Sequence, residues 1–338
     1  MKRKLPTILF STIGMMILIL DSKTALQGTY EGVELCVKTV IPSLFPFFVL
    51  SIALTASMAG SPVRLLAPLS RLCGIPSGAE SILLTGFLGG YPIGAQCVAQ
   101  SWQSGQLSKE DAHRMLGFCS NAGPAFIFGI TGSLFESPLI PWSLWIIQIV
   151  SAIFVGMILP GKSHKHMKNK SESALSASGV LNRAIGAMAG VCGWVILFRM
   201  IIAILRKRVI YGMPTEAQVL ITGILELTNG CCNLNGIESD VVRYVLCSTF
   251  LSFGGICVAM QTASATAQLG IGQYFRGKVL QSIFSGVMAI LLLPVLFPAC
   301  RNGKILALGV FAVFTVVIFL IIFEILKNNS SIRTHQRV

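Results

Sequence analysis

Apolar runs of about twenty residues recur along the chain, at 5-20, 40-59, 140-159, 185-205, 278-299 and 305-326. Each has the length a helix needs to cross the hydrocarbon core of a bilayer. Lipid supplies no hydrogen-bond partners, so a chain made of such runs must satisfy its backbone internally, as helices do. Composition agrees: 54% of the 338 residues are hydrophobic, 12% are charged and the mean hydropathy is +0.76, whereas a water-soluble chain carries roughly a quarter charged residues. The expected fold class is all-α, a polytopic transmembrane helical protein with two repeat-related broken-helix (re-entrant) hairpins.

The run 5-20 follows Met1-Lys2-Arg3-Lys4, a basic start before an apolar core, which is also how a cleaved signal peptide begins. The sequence after Leu20, Asp-Ser-Lys-Thr-Ala-Leu-Gln, lacks a small-x-small cleavage site, so a retained first span with its N-terminus in the cytoplasm is expected. The net charge of +13 sits between the apolar runs, notably at Lys162, Lys165, Lys168 and Lys170 and in the tail at Lys327, Arg333 and Arg337. That placement follows the positive-inside rule, so the basic balance reads as topology and no nucleic-acid partner is expected. Arg206-Lys207-Arg208 also draws toward the cytoplasm, in conflict with the other basic segments. The ten cysteines are scattered without a Cys-x-x-Cys pair, the histidines lie outside the apolar segments, and no nucleophile elbow, P-loop or HExxH occurs. Neither a metal, a cofactor nor catalytic residues are expected.

Outside the plain spans, the apolar sequence is interrupted. Residues 61-74 are short and carry Arg64 and Arg71 at helical spacing, which suits an interfacial helix. Ser81 to Gln103 is apolar but contains Gly89, Gly90, Tyr91, Pro92 and Gly94. Ser108-x-x-Asp111 then caps a helix that is interrupted at Asn121-Ala122-Gly123-Pro124. In the second half a helix from Thr215 carries Glu226 and is expected to stop at Thr228-Asn229-Gly230, and the segment from Val241 breaks at Gly254-Gly255 before resuming to Gln268. At an offset of 165 residues the breaks match at Gly89/Gly254, Gly90/Gly255, Gln96/Gln261, Gln103/Gln268 and Gly105/Gly270. This pattern reads as an internal duplication.

Irregular backbone at membrane depth survives where it is buried in protein or lines a watery cavity, and paired discontinuous helices are where secondary transporters hold substrate or ions. The glycine pairs permit close approach and positive φ, although glycines also serve helix packing alone. Gln96 and Gln261 either pair across helices or face a polar cavity. Arg199 and Glu226 lie within apolar sequence, where a charge is paired or functional. They can neutralise one another; otherwise Arg199 is a fixed cation for an anionic substrate and Glu226 a proton or cation carrier. Glu80 reads as interfacial. Asn121 and Asn229 serve as caps or as site amides.

Thr85-Gly-Phe-Leu-Gly-Gly-Tyr-Pro-Ile-Gly-Ala-Gln96, Phe118-Cys-Ser-Asn-Ala-Gly-Pro-Ala-Phe-Ile-Phe-Gly129, Ile224-Leu-Glu-Leu-Thr-Asn-Gly230 and Leu251-Ser-Phe-Gly-Gly-Ile-Cys-Val-Ala-Met-Gln261 resemble motifs of the YlbJ/SpoVV sporulation integral membrane protein family, as does Ile41-Pro-Ser-Leu-Phe-Pro-Phe47. The resemblance spans roughly residues 30-300. It implies membership of the nucleoside-recognition, or Gate-domain, group, a place in the forespore outer membrane, and transport of dipicolinic acid into the forespore. Dipicolinate is a dianion, which suits half-helix N-termini and Arg199. The alternatives are a non-transporting scaffold for spore assembly, or a Gate-domain transporter of another small anion or nucleoside-like solute. The organisation then expected is an N-terminal membrane half over 1-160 with the first Gate-like hairpin, a basic cytoplasmic loop at 161-179, a C-terminal half over 180-326 with the second, and a basic tail at 327-338. Expected partners are a small-molecule anion and the lipid bilayer.

Overall fold

The computed structural model describes residues 5–58, 63–159, 161, 167, 176–266 and 269–297. Among these there is no β-strand, and five helices are long and apolar enough to cross a membrane. The protein is a multi-pass α-helical membrane protein. The expected span 305-326, the tail, most of the basic loop and Gln268 lie outside the described residues.

Helix α1 (Leu5–Leu20) is followed by one long rod. In it α2 (Ser22–Leu35) passes through a π-helical turn at Cys36–Val40 into α3 (Ile41–Met58). The expected span 40-59 is therefore the second half of a 37-residue helix. The wide turn, in which the Ile41 N–H reaches Cys36 O, directly precedes Pro42. A proline has no amide proton for the regular ladder, so the irregularity falls beside it. The segment expected to lie at the interface forms a 3-10 turn at Arg64–Leu66 and α4 (Ala67–Leu72), with Leu65 exposed.

Two short helices, α5 (Glu80–Leu88) and α6 (Ile93–Gln103), make the first broken segment. They are followed by α7 (Lys109–Leu116) and α8 (Pro124–Gly129). Ser108 caps α7 as its spacing predicts, accepting from Asp111 N at 3.1 Å. The spanning helix α9 (Leu139–Ile158) ends the first half. The second begins with α10 (Ala177–Leu205), eight residues longer at its start than the expected span, and continues with α11 (Thr215–Leu225) and α12 (Leu227–Asn233). The second broken segment is α13 (Asp240–Phe253) with α14 (Gly255–Ala265), and α15 (Gly272–Leu296) closes the described chain.

The α2–α3 rod packs along α10, while α15 packs between α9 and α13. Gly28 and Gly32 set the first contact: a Cβ on Gly32 would lie 2.9 Å from Ile196 Cα. At the polar end of this pair, Asp21 accepts from Lys207 Nζ at 2.7 Å and Arg208 Nη2 at 3.3 Å. The Lys207 hydrogen bond, with help from Thr24, holds the Asp21 carboxyl down at about 2. Glu80, expected at the interface, is instead buried, because its carboxylate accepts from Gly78 N at 2.8 Å and from Ser70 Oγ at 3.4 Å.

Candidate functional site

The two glycine breaks lie against each other in the interior. In the first, Gly89 ends α5 with ordinary helical φ, Gly90 takes φ +77°, and the cis Tyr91-Pro92 bond leads into α6. In the second, Gly254 at φ +79° joins α13 to α14 with nothing between, and Gly255 is also at φ +79°. These angles suit glycine and strain other residues. Across the gap, Tyr91 donates its hydroxyl toward the carbonyls of Leu251 and Ser252, each at 3.3 Å. A Cβ on Gly254 would meet the Tyr91 ring at 3.2 Å.

Each break also touches one of the Asn-containing interruptions. A Cβ on Gly90 would be 3.1 Å from Gly123 N, and one on Gly123 would be 2.9 Å from Gly90 Cα. Gly123 is the extended residue before Pro124 opens α8. Gly255 lies against the last carbonyls of α11. There the chain does not stop at Thr228-Asn229-Gly230, as expected, but breaks at Glu226 (φ −148°, ψ 124°), and Thr228, Asn229 and Gly230 lie within α12. The cause is the Glu226 carboxylate itself. It caps α12 by accepting from Thr228 N at 2.9 Å, Asn229 N at 2.7 Å and Asn229 Nδ2 at 2.6 Å. The free amides at the start of a helix are the donors that such a cap satisfies.

Three of the four interruptions line one cavity of ≈ 40 Å³, and the fourth, Gly254-Gly255, packs against Tyr91 and the last carbonyls of α11. Gly90, Tyr91, Gly123, Glu226, Thr228 and Gln261 contribute to its wall, and the remainder is apolar. That volume holds roughly three waters, so this conformation has no room for a larger solute. Gln261 presents its amide here, with Nε2 3.4 Å from Cys257 Sγ.

Gln96, Arg199, Asn229 and Asn121, all expected at the site, are not part of the cavity wall. Gln96 faces a separate cleft with Gln100, Gln106 and Arg183, because α6 starts only at Ile93 and its first turn carries Gln96 away from the break. Arg199 does not pair with Glu226. Its guanidinium binds Glu31 at 2.8 Å and the Asn229 Oδ1, and it lines open clefts between α2 and α10. Asn229 stands between the two charges, holding Arg199 through its oxygen and Glu226 through its nitrogen.

The structure brings in a group that the sequence reading passed over. Lys278 is fully buried on α15, donating to Gln281 Oε1 at 2.6 Å and to Asn121 Oδ1 at 3.2 Å, with Nζ 5.1 Å from the centre of the Tyr91 ring. Gln281 Nε2 in turn donates to Asn121 Oδ1 at 2.9 Å and approaches Gln148, whose own Nε2 donates to Ser252 Oγ at 2.6 Å. A polar chain thus runs from Lys278 to the end of α13, where Tyr91 is tethered. Lys278 sits at the first position of the expected span 278-299, where a lysine looks interfacial; α15 starts six residues earlier and takes it inside. The available signal was the spacing Lys278, Gln281, Ser285, which is one helical face. Asn121 also donates to Phe118 O at 2.9 Å, so it acts both as a cap and as part of this network.

The chain is similar to the sporulation integral membrane protein YlbJ of Bacillus subtilis (strain 168), with 23% identity over 327 residues, covering 83% of this chain and 80% of that protein. No family model matches the chain. No solved structure matches it.

Proposed function

Taking the chain as a member of the YlbJ family of sporulation integral membrane proteins, we propose that it is a transporter of a small organic dianion, dipicolinate, toward the forespore. The observation that carries this reading is the packing of four helix interruptions against one another in the interior, three of them lining one cavity. Broken backbone at membrane depth is costly unless it lines a polar space, and four breaks at one place make a site. Gly90 and Gly123 leave backbone bare on the cavity wall. The cavity is small because this arrangement is closed, and admission of a ring dicarboxylate requires the two broken segments to part.

The internal duplication belongs to the same proposal. Columns 165 residues apart share positive φ at Gly90 (+77°) and Gly255 (+79°), and at Gly105 (+75°) and Gly270 (+73°). Gly89 and Gly254 differ, so the copies break in different ways.

The test is saturable uptake of labelled dipicolinate by proteoliposomes containing the full chain, together with the dipicolinate content of spores from a deletion strain. Uptake above protein-free vesicles, and deficient spores, are expected. Normal spore content and no uptake would remove the substrate assignment.

A further inference from the structure

We propose that Lys278 is the cation that receives a carboxylate of the transported anion, with Asn121 and Gln281 as the amides around it and Tyr91 as the side chain that separates it from the cavity. This rests on the transport reading above. The first observation is electrostatic. Lys278 has no solvent exposure, and among the described residues no carboxylate pairs with it; its hydrogen-bond partners are two neutral amide oxygens. A buried ammonium normally has an ion partner, since desolvation is offset only by charge pairing and full hydrogen bonding. Arg199 has Glu31 and Arg243 has Asp240. Two amide oxygens and the faces of Tyr91 and Tyr274, 5.1 and 5.9 Å away, are what offset the charge of Lys278, and none of them is an anion.

The second observation is positional. Tyr91 belongs to the cavity wall, and its ring lies beneath Nζ. Its hydroxyl is held by two carbonyls at 3.3 Å, a weak tether. Around Lys278 there are thus a cation and two amides that can turn from acceptor to donor. Those are the donors a carboxylate takes. Arg199 lies outside this set, tied to Glu31 at the protein surface.

The experiment is thermal melting of the purified full-length protein in detergent, with and without acetate, benzoate or pyridine-2,6-dicarboxylate, against chloride at equal ionic strength. The wild type should show a carboxylate-dependent rise in melting temperature. Lys278→Met should melt at or above the wild-type temperature without carboxylate, because it removes an unpaired buried charge, and should lose the carboxylate-dependent rise. A rise that survives in Lys278→Met, no rise in wild type with any of the carboxylates, or a Lys278→Met protein that melts lower or does not fold would overturn the assignment; the last result would make Lys278 a structural strut. If benzoate produces the Lys278-dependent rise and dipicolinate is not taken up by vesicles, the substrate named above fails and the role of Lys278 stands.

Discussion

At Gly90 two requirements meet in one residue: a left-handed φ of +77° and a neighbouring backbone, Gly123 N, 3.1 Å from where a Cβ would stand. Gly90→Ala should cost about 1–3 kcal/mol, seen as a lower melting temperature and a smaller monodisperse peak in detergent. Such glycines were legible in the sequence because interruptions in apolar runs are conspicuous. Lys278 was not, because hydropathy registers a lysine at the edge of a run without knowing where the helix begins. Asp21 makes a prediction of a different kind. Its carboxyl is held near 2, below an ordinary aspartate, by Lys207. The folded state is therefore favoured by the ionised form, an advantage present above about pH 4 and lost as pH falls toward 2. An Asp21→Asn variant should be less stable than wild type near neutral pH, and the difference should vanish when melting is followed down to about pH 2.

Helix ends, more than helix middles, organise this protein. Arg114 on α7 is buried and donates to Gly74 O at 3.0 Å, Gly156 O at 2.6 Å, Leu159 O at 3.2 Å and the Cys73 carbonyl. One planar fork therefore occupies the carbonyls that end both α4 and α9. Lysine presents a single ammonium and cannot span that arrangement. Arg114→Lys should destabilise by at least about 2 kcal/mol, given the strength of hydrogen bonds to a charged donor, and the loss should appear as earlier thermal aggregation. Element boundaries were partly readable. Ser108 capped where its spacing said it would. At Glu226, however, the break came from a side chain folding back on the amides of Thr228 and Asn229, a local hydrogen bond that apolar periodicity does not encode. Helix α10 ran past its expected start for the complementary reason: Ser176 accepts from Gly179 N at 3.2 Å and caps a turn that is not itself apolar.

At the scale of the whole molecule, the matched glycine pairs mark two distant segments as broken in a similar place, and the sequence could not say that they touch. Their meeting depends on how α9, α13 and α15 pack, which is set by contacts more than a hundred residues apart, such as Gln281 with Gln148 and Tyr91 with Ser252. Tyr91→Phe removes that last link while leaving the ring beneath Lys278. It should lower the melting temperature modestly, and if parting of the segments limits turnover it should raise the initial rate of dipicolinate uptake. The magnitude follows from the bond. One phenolic proton divided between two carbonyls is worth about 1 kcal/mol net, which alters the ratio of parted to joined molecules by only about five-fold. The hydroxyl is thus a latch of small strength, and a Tyr91→Phe effect much larger than about five-fold would mean that the ring, and not the hydrogen bond, holds the two segments together.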